Sequence, residues 1–190
     1  MGKIQSLITV TGNDQVVTYV DSLLEKVNHR NNPDTSFAQT FYDNVELSEN
    51  GIVTDEWSME NLGSTHTILT DDSGGAYFSI DSNILPKKFF IHLYRLSLEL
   101  DEETYIDVTY ADELYDPIGA VVIKKDKDGI PSMWIEEEET DDLDIEMDIH
   151  GDIIDSSKVD FFEICVRQQK LLEKCHKLIE TNGVLIDDYK

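Results

Sequence analysis

The sequence predicts an α+β fold: a ferredoxin-like antiparallel sheet with two helices on one face, extra strands and a long C-terminal helix. Three observations carry that prediction. Segments with strand and helix periodicity follow one another in the order β-α-β-β-α-β, and further extended segments come after them. Turn signals separate these segments, at Thr11-Gly12-Asn13-Asp14, at Asp71-Asp72-Ser73-Gly74-Gly75 and at Asp126-Lys127-Asp128-Gly129. Hydrophobic residues make up 40% of the 190, with aromatics spread along the chain, so the composition is that of a chain able to bury a core.

The elements are justified in order. Residues 4–11, with Ile4, Leu7, Ile8 and Val10, read as a buried first strand. Val16, Val20, Leu23, Leu24 and Val27 recur on one face of an amphipathic helix, which ends before His29-Arg30-Asn31-Asn32-Pro33. Phe37, Phe41 and Val45 are expected in a second extended segment, and the stretch from Ser48 to Leu62 carries no clear period. His66 to Thr70 and Ala76 to Ile80 form a hairpin around the Gly-Gly turn. A second helix opens at Pro86, in its first turn, and presents Phe89, Phe90, Leu93 and Leu96. Tyr105 to Tyr110 and Ile118 to Ile123 are strands, and the Asp-Gly turn returns the chain through Met133, Trp134 and Ile135. The final helix takes Ser157 as its cap, has an apolar surface from Val159 to Ile179 and ends with Gly183 at C′. At about 1.5 Å per residue it is about 37 Å long. It packs across the body or pairs with a second copy.

The net charge is −25 and the pI is near 4.2. A chain so acidic repels phosphate and anionic lipid, which excludes direct nucleic-acid and membrane binding. The excess is not uniform. Residues 1–135 hold 23 acids against 9 Lys and Arg, residues 136–155 hold 11 acids and no Lys or Arg, and residues 156–190 hold 6 of each. The chain therefore divides into a body over 1–135, an acidic strand segment over 136–155 and a C-terminal helix over 156–190. Cys165 and Cys175 fit neither a CxxC motif nor a zinc framework, and no apolar run reaches the ~18 residues of a membrane span. A reduced, cytoplasmic protein is expected.

Ile8-Thr9-Val10-Thr11-Gly12, Asn61-Leu62-Gly63-Ser64-Thr65, the stretch from Phe78 to Pro86, and Tyr110-Ala111-Asp112-Glu113 with Gly119 follow a recurring pattern. By these motifs the chain, over residues 4–123, resembles the ferredoxin-like family typified by YubB, small proteins carried on phages and conjugative plasmids. Leu62 stands where that family has Trp, and the family's Lys is missing. The resemblance implies the fold and a mobile-element origin. It implies no catalytic residue.

None of His29, His66, His92, His150 and His176 belongs to a spaced metal motif, and no phosphate-cradling Gly-rich loop occurs. Residues 141–148 look superficially like a calcium loop. Counting from Asp142, however, Met147 stands where Gly is required and Ile153 where a bidentate Glu is required. No cofactor, metal site or catalytic residue is expected, and a divalent-metal-dependent hydrolase is the weakest reading.

The acidic segment is better described by its period. Asp142, Asp144, Glu146 and Asp148 alternate with Leu143, Ile145, Met147 and Ile149, a strand with one apolar and one acidic face. Glu136, Glu137, Glu138 and Glu139 extend or flank the same surface. Such a face can be a solvated sheet edge protected by like charge. Its alternate residues are also ~6.6–6.8 Å apart, the advance of every second phosphate at ~3.4 Å each. These eight acids are therefore the candidate partner-binding residues of a non-enzymatic interaction protein. The expected partner is a basic host protein, nucleic-acid-binding or defence-related, with the acids acting as a nucleic-acid mimic. A module that dimerises through residues 157–182 is the alternative.

Overall fold

A computed structural model describes residues 3–27, 32–65, 68–72, 74–112, 115–140 and 160–189. The elements are β1 (Ile4–Thr11), α1 (Asp14–Leu24), α2 (Pro33–Phe41), α3 (Asp55–Leu62), β2 (Ile68–Asp72), β3 (Tyr77–Ser82), α4 (Lys87–Leu98), β4 (Tyr105–Asp112), β5 (Ile118–Lys125), β6 (Pro131–Glu138), α5 (Phe161–Asn182) and β7 (Val184–Leu185), followed by a 3₁₀ turn (Ile186–Asp188). The architecture is α+β. An open antiparallel sheet runs β2-β3-β1-β4-β5-β6, extended at one edge by the two-residue β7.

The pleat divides the apolar residues between two faces. Ile8, Val10, Phe78, Ile80, Ile106, Val108, Val121, Ile123 and Met133 point to one face, where α1 to α4 cover them. Ile118, Ala120, Val122 and Trp134 point to the other, where α5 covers them with Ile164, Leu171, Cys175 and Ile179. Leu7 lies on the second face and is only half-buried, because α5 crosses β4, β5 and β6 and stops short of β1. Helix α5 packs on the chain's own sheet.

The helix starts follow from capping chemistry. Asn13 accepts from the Gln15 and Val16 amides, and Asp160 accepts from Glu163 N–H. The cap of α5 is therefore Asp160, not Ser157, which lies outside the described residues. Pro86 is the residue before α4 rather than part of its first turn. Gly183 follows α5 with φ −54°, so no left-handed cap closes the helix. Glycine is needed there for another reason: a Cβ would sit 2.8 Å from Ser132 Cβ and 2.8 Å from Ile179 O.

The segment around Phe37 is a correction. It is helical, not extended, with Pro33 in its first turn. Phe37, Ala38 and Phe41 are spaced as one helix face, and that spacing also satisfies strand alternation at Phe37 and Phe41. Helix geometry lets buried Thr35 accept the Val53 N–H at 3.0 Å. Thr35→Val keeps the shape but strands that amide. The expected cost is about 1–3 kcal/mol, read as a lower urea midpoint with unchanged slope. An unchanged midpoint would show that the bond contributes nothing. The unassigned stretch from Ser48 to Leu62 holds Val53, which bridges to Leu47, and α3, with Thr54 capping Trp57 N–H.

Candidate functional site

The Asp126–Gly129 turn fixes the β5–β6 register: Lys125 faces Pro131, and Ile118 therefore faces Glu138. That places the first acids of the charged segment on β6 itself, within the sheet. The pleat then separates them. Glu136 and Glu138 lie on the α5 face, and Glu137 lies on the opposite face.

Each of these three has a partner. Glu136 accepts from Lys174 Nζ at 2.5 Å and from Trp134 Nε1 at 2.8 Å. Burial alone would raise this carboxyl, but the Lys174 and Trp134 hydrogen bonds and the Lys174 charge outweigh it, so Glu136 titrates below the usual glutamate range. Glu138 accepts from Arg167 Nη1 at 3.0 Å, and the same guanidinium donates from Nη2 to Glu163 at 2.8 Å. Glu137 accepts from the Tyr110 hydroxyl at 2.5 Å. Tyr110 reaches it by crossing β5 at Gly119, where a Cβ would lie 2.2 Å from the ring. Burial, then the hydrogen bond to Glu137 and its charge, push the Tyr110 phenol far above its ordinary pKa, so it remains a donor. Glu139 is exposed.

So Glu136 to Glu139 do not stand in one phosphate-like row. Glu136 and Glu138 tie β6 to α5, Glu137 meets Tyr110 across β5, and Glu137 and Glu139 are exposed. Asp142, Asp144, Glu146 and Asp148 lie outside the described residues.

A concave acidic surface remains at the end of β6. A cleft of about 710 Å³ is lined by Asp116, Pro117, Glu137, Glu138 and Glu139. Asp116 was not among the acids the sequence singles out. It is fixed by the hairpin register and by the Thr140 N–H, which donates to its carboxylate at 2.9 Å. The Thr140 hydroxyl donates to Tyr115 O at 2.6 Å, which holds the chain against the cleft as it leaves β6. The register was available from the Asp-Gly turn and is the signal that leads to Asp116.

Among the described residues, no group of three or more His, Cys, Asp or Glu side chains is placed to hold a metal ion. No described helix is long and apolar enough to cross a membrane. Cys165 is exposed and Cys175 buried, both as free thiols. Burial, with the Glu136 charge adding to it, pushes the Cys175 thiol up to about 12. Carboxylates in an open cleft suit the guanidinium and ammonium groups of a partner, which need no cage. No protein-family model matches the chain, and neither the curated proteins nor the solved structures compared with it give a match.

Proposed function

We propose that this protein is a non-enzymatic interaction module that seats basic side chains of a nucleic-acid-binding or defence protein in the host cytoplasm, as a phage- or plasmid-encoded inhibitor would. The observation that carries the reading is the acidic cleft of Asp116, Glu137, Glu138 and Glu139, from which the chain continues directly into the acids of residues 141–155. Concentrated charge of one sign speeds encounter with a partner of the other. A ferredoxin-like scaffold fits the strand order β2-β3-β1-β4, antiparallel throughout, with α1 and α4 on one face. The dimer alternative has less support, because Ile164, Leu171, Cys175 and Ile179 of α5 face the chain's own sheet.

An arginine-rich peptide titrated into the full chain, followed by anisotropy at low and high salt, tests the reading. Replacing Glu137, Glu139, Asp142, Asp144, Glu146 and Asp148 by their amides should weaken binding about tenfold or more and flatten its salt dependence. Neutralising Glu99, Glu102 and Glu103, remote in sequence from the cleft, should change it little. Equal losses in both variants would mean that bulk charge alone attracts the peptide, and the proposed surface would be wrong.

A further inference from the structure

On the other layer two cations and a histidine come together on one helix. Lys88, His92 and Arg95 stand at i, i+4 and i+7 on α4, a spacing that puts them on one helix face. They line an open pocket of about 310 Å³, together with Tyr42, Asn61 and, from the C-terminal turn, Ile186 and Tyr189. That volume is at the small end of ligand-binding pockets.

The imidazole of His92 is held firmly. It stacks on the Tyr42 ring at a centroid distance of 4.1 Å and 11°. Its Nε2 lies 2.6 Å from Phe41 O. A carbonyl only accepts, so the proton sits on Nε2. Tyr42 is itself braced edge-on by Trp57 at 5.1 Å. The cavity therefore has a rigid aromatic wall.

The two cations carry provisional partners. Lys88 Nζ is 2.9 Å from Glu60 Oε1, and Arg95 Nη2 is 2.6 Å from Asp187 Oδ1. Both carboxylates are largely exposed, at 67% and 84%. Exposed pairs of this kind are weak and exchange readily with a better anion. One phosphate monoester carries up to two charges and three free oxygens, so it can accept from Lys88 and Arg95 together, whereas Glu60 pairs with Lys88 and Asp187 with Arg95.

We propose that this cavity binds a small organic phosphate monoester, with Lys88 and Arg95 on the phosphate, a compact planar group against the Tyr42–His92 wall, and Asp187 as a built-in competitor for Arg95. The assignment is independent of the acidic cleft, which lies on different elements.

Phenyl phosphate titrated into the intact chain at low ionic strength, followed by protein amide shifts, tests it. Saturable shifts at Tyr42, His92 and Tyr189 are expected. Arg95→Gln should weaken binding at least tenfold, and Asp187→Asn should tighten it several-fold. Both side chains are exposed enough for the variants to keep the fold, which their spectra will report. Phenyl phosphate that binds with equal affinity to wild type, Arg95→Gln and Lys88→Gln would overturn the site. Inorganic phosphate binding as tightly as phenyl phosphate would overturn the assignment to an organic ester.

Discussion

Phe89→Ala is expected to lower the unfolding free energy by about 3–5 kcal/mol, a large share of the ~5–15 kcal/mol typical of a domain. Phe89 is fully buried, and four aromatic rings surround it. Its ring centroid lies 5.2 Å from Phe37, 5.2 Å from Phe41, 6.3 Å from Phe90 and 6.5 Å from Phe78. Those neighbours come from α2, α4 and β3, so truncation leaves a void where three elements meet. The edge-to-face geometry with Phe41, at 87°, is lost as well. Rings held on separate elements cannot all collapse into the space, and the cost should fall in the upper part of the large-to-small range. Phe89→Leu, which keeps most of the volume, should cost under about 1.5 kcal/mol. Urea denaturation of both variants gives the comparison. A loss below 1 kcal/mol for the alanine variant would mean that the cluster is not the centre of the core.

Gly119→Ala is expected to destabilise by about 1–3 kcal/mol or somewhat more, although alanine ordinarily stabilises a strand relative to glycine. The sign reverses because the new Cβ would meet Tyr110 Cζ at 2.2 Å, Oη at 2.4 Å and Cε1 at 2.6 Å. A flexible exposed side chain would swing aside. Tyr110 is 2% exposed and its hydroxyl is engaged by Glu137, so moving the ring breaks that contact and disturbs the core around it. The decisive measurement is a double-mutant cycle with Tyr110→Leu. Removing the ring's far end should recover much of the loss, giving a strong positive coupling between the two positions. Additive effects would rule out the close approach as the cause.

The sequence made the sheet legible where two signals agreed. The Asp-Gly turn and the alternating apolar residues on either side define β5 and β6 together, and continuing their register sets Asp116 against Thr140, at the cleft that Glu138 also lines. The helices α1 and α4 are legible because their apolar residues repeat over three turns. Helix α2 was not, because Phe37 and Phe41 satisfy both periods and only tertiary contacts such as Thr35 with Val53 N–H distinguish them. The acids of β6 show a second limit. Charge and spacing predict an acidic face, but the cations that pair with Glu138 and Glu136, Arg167 and Lys174, lie on a helix 29 and 38 residues later. Pairing across such a separation leaves no mark on local pattern. The pocket at Lys88, His92 and Arg95 depends on Tyr42 and Tyr189, which come from distant parts of the chain and leave no local pattern.

Strand β1 lies between β3 and β4, with Ile4 opposite Ser82 on one side and Asp112 on the other. During synthesis it leaves the ribosome before either neighbour exists. At about 5–20 residues per second, both of its edges stay bare for several seconds. Its run of Leu7, Ile8 and Val10 is then an adhesive for other nascent chains. Arresting translation just before and just after β4 should separate a chaperone-bound, protease-sensitive chain from one that has begun to close its sheet.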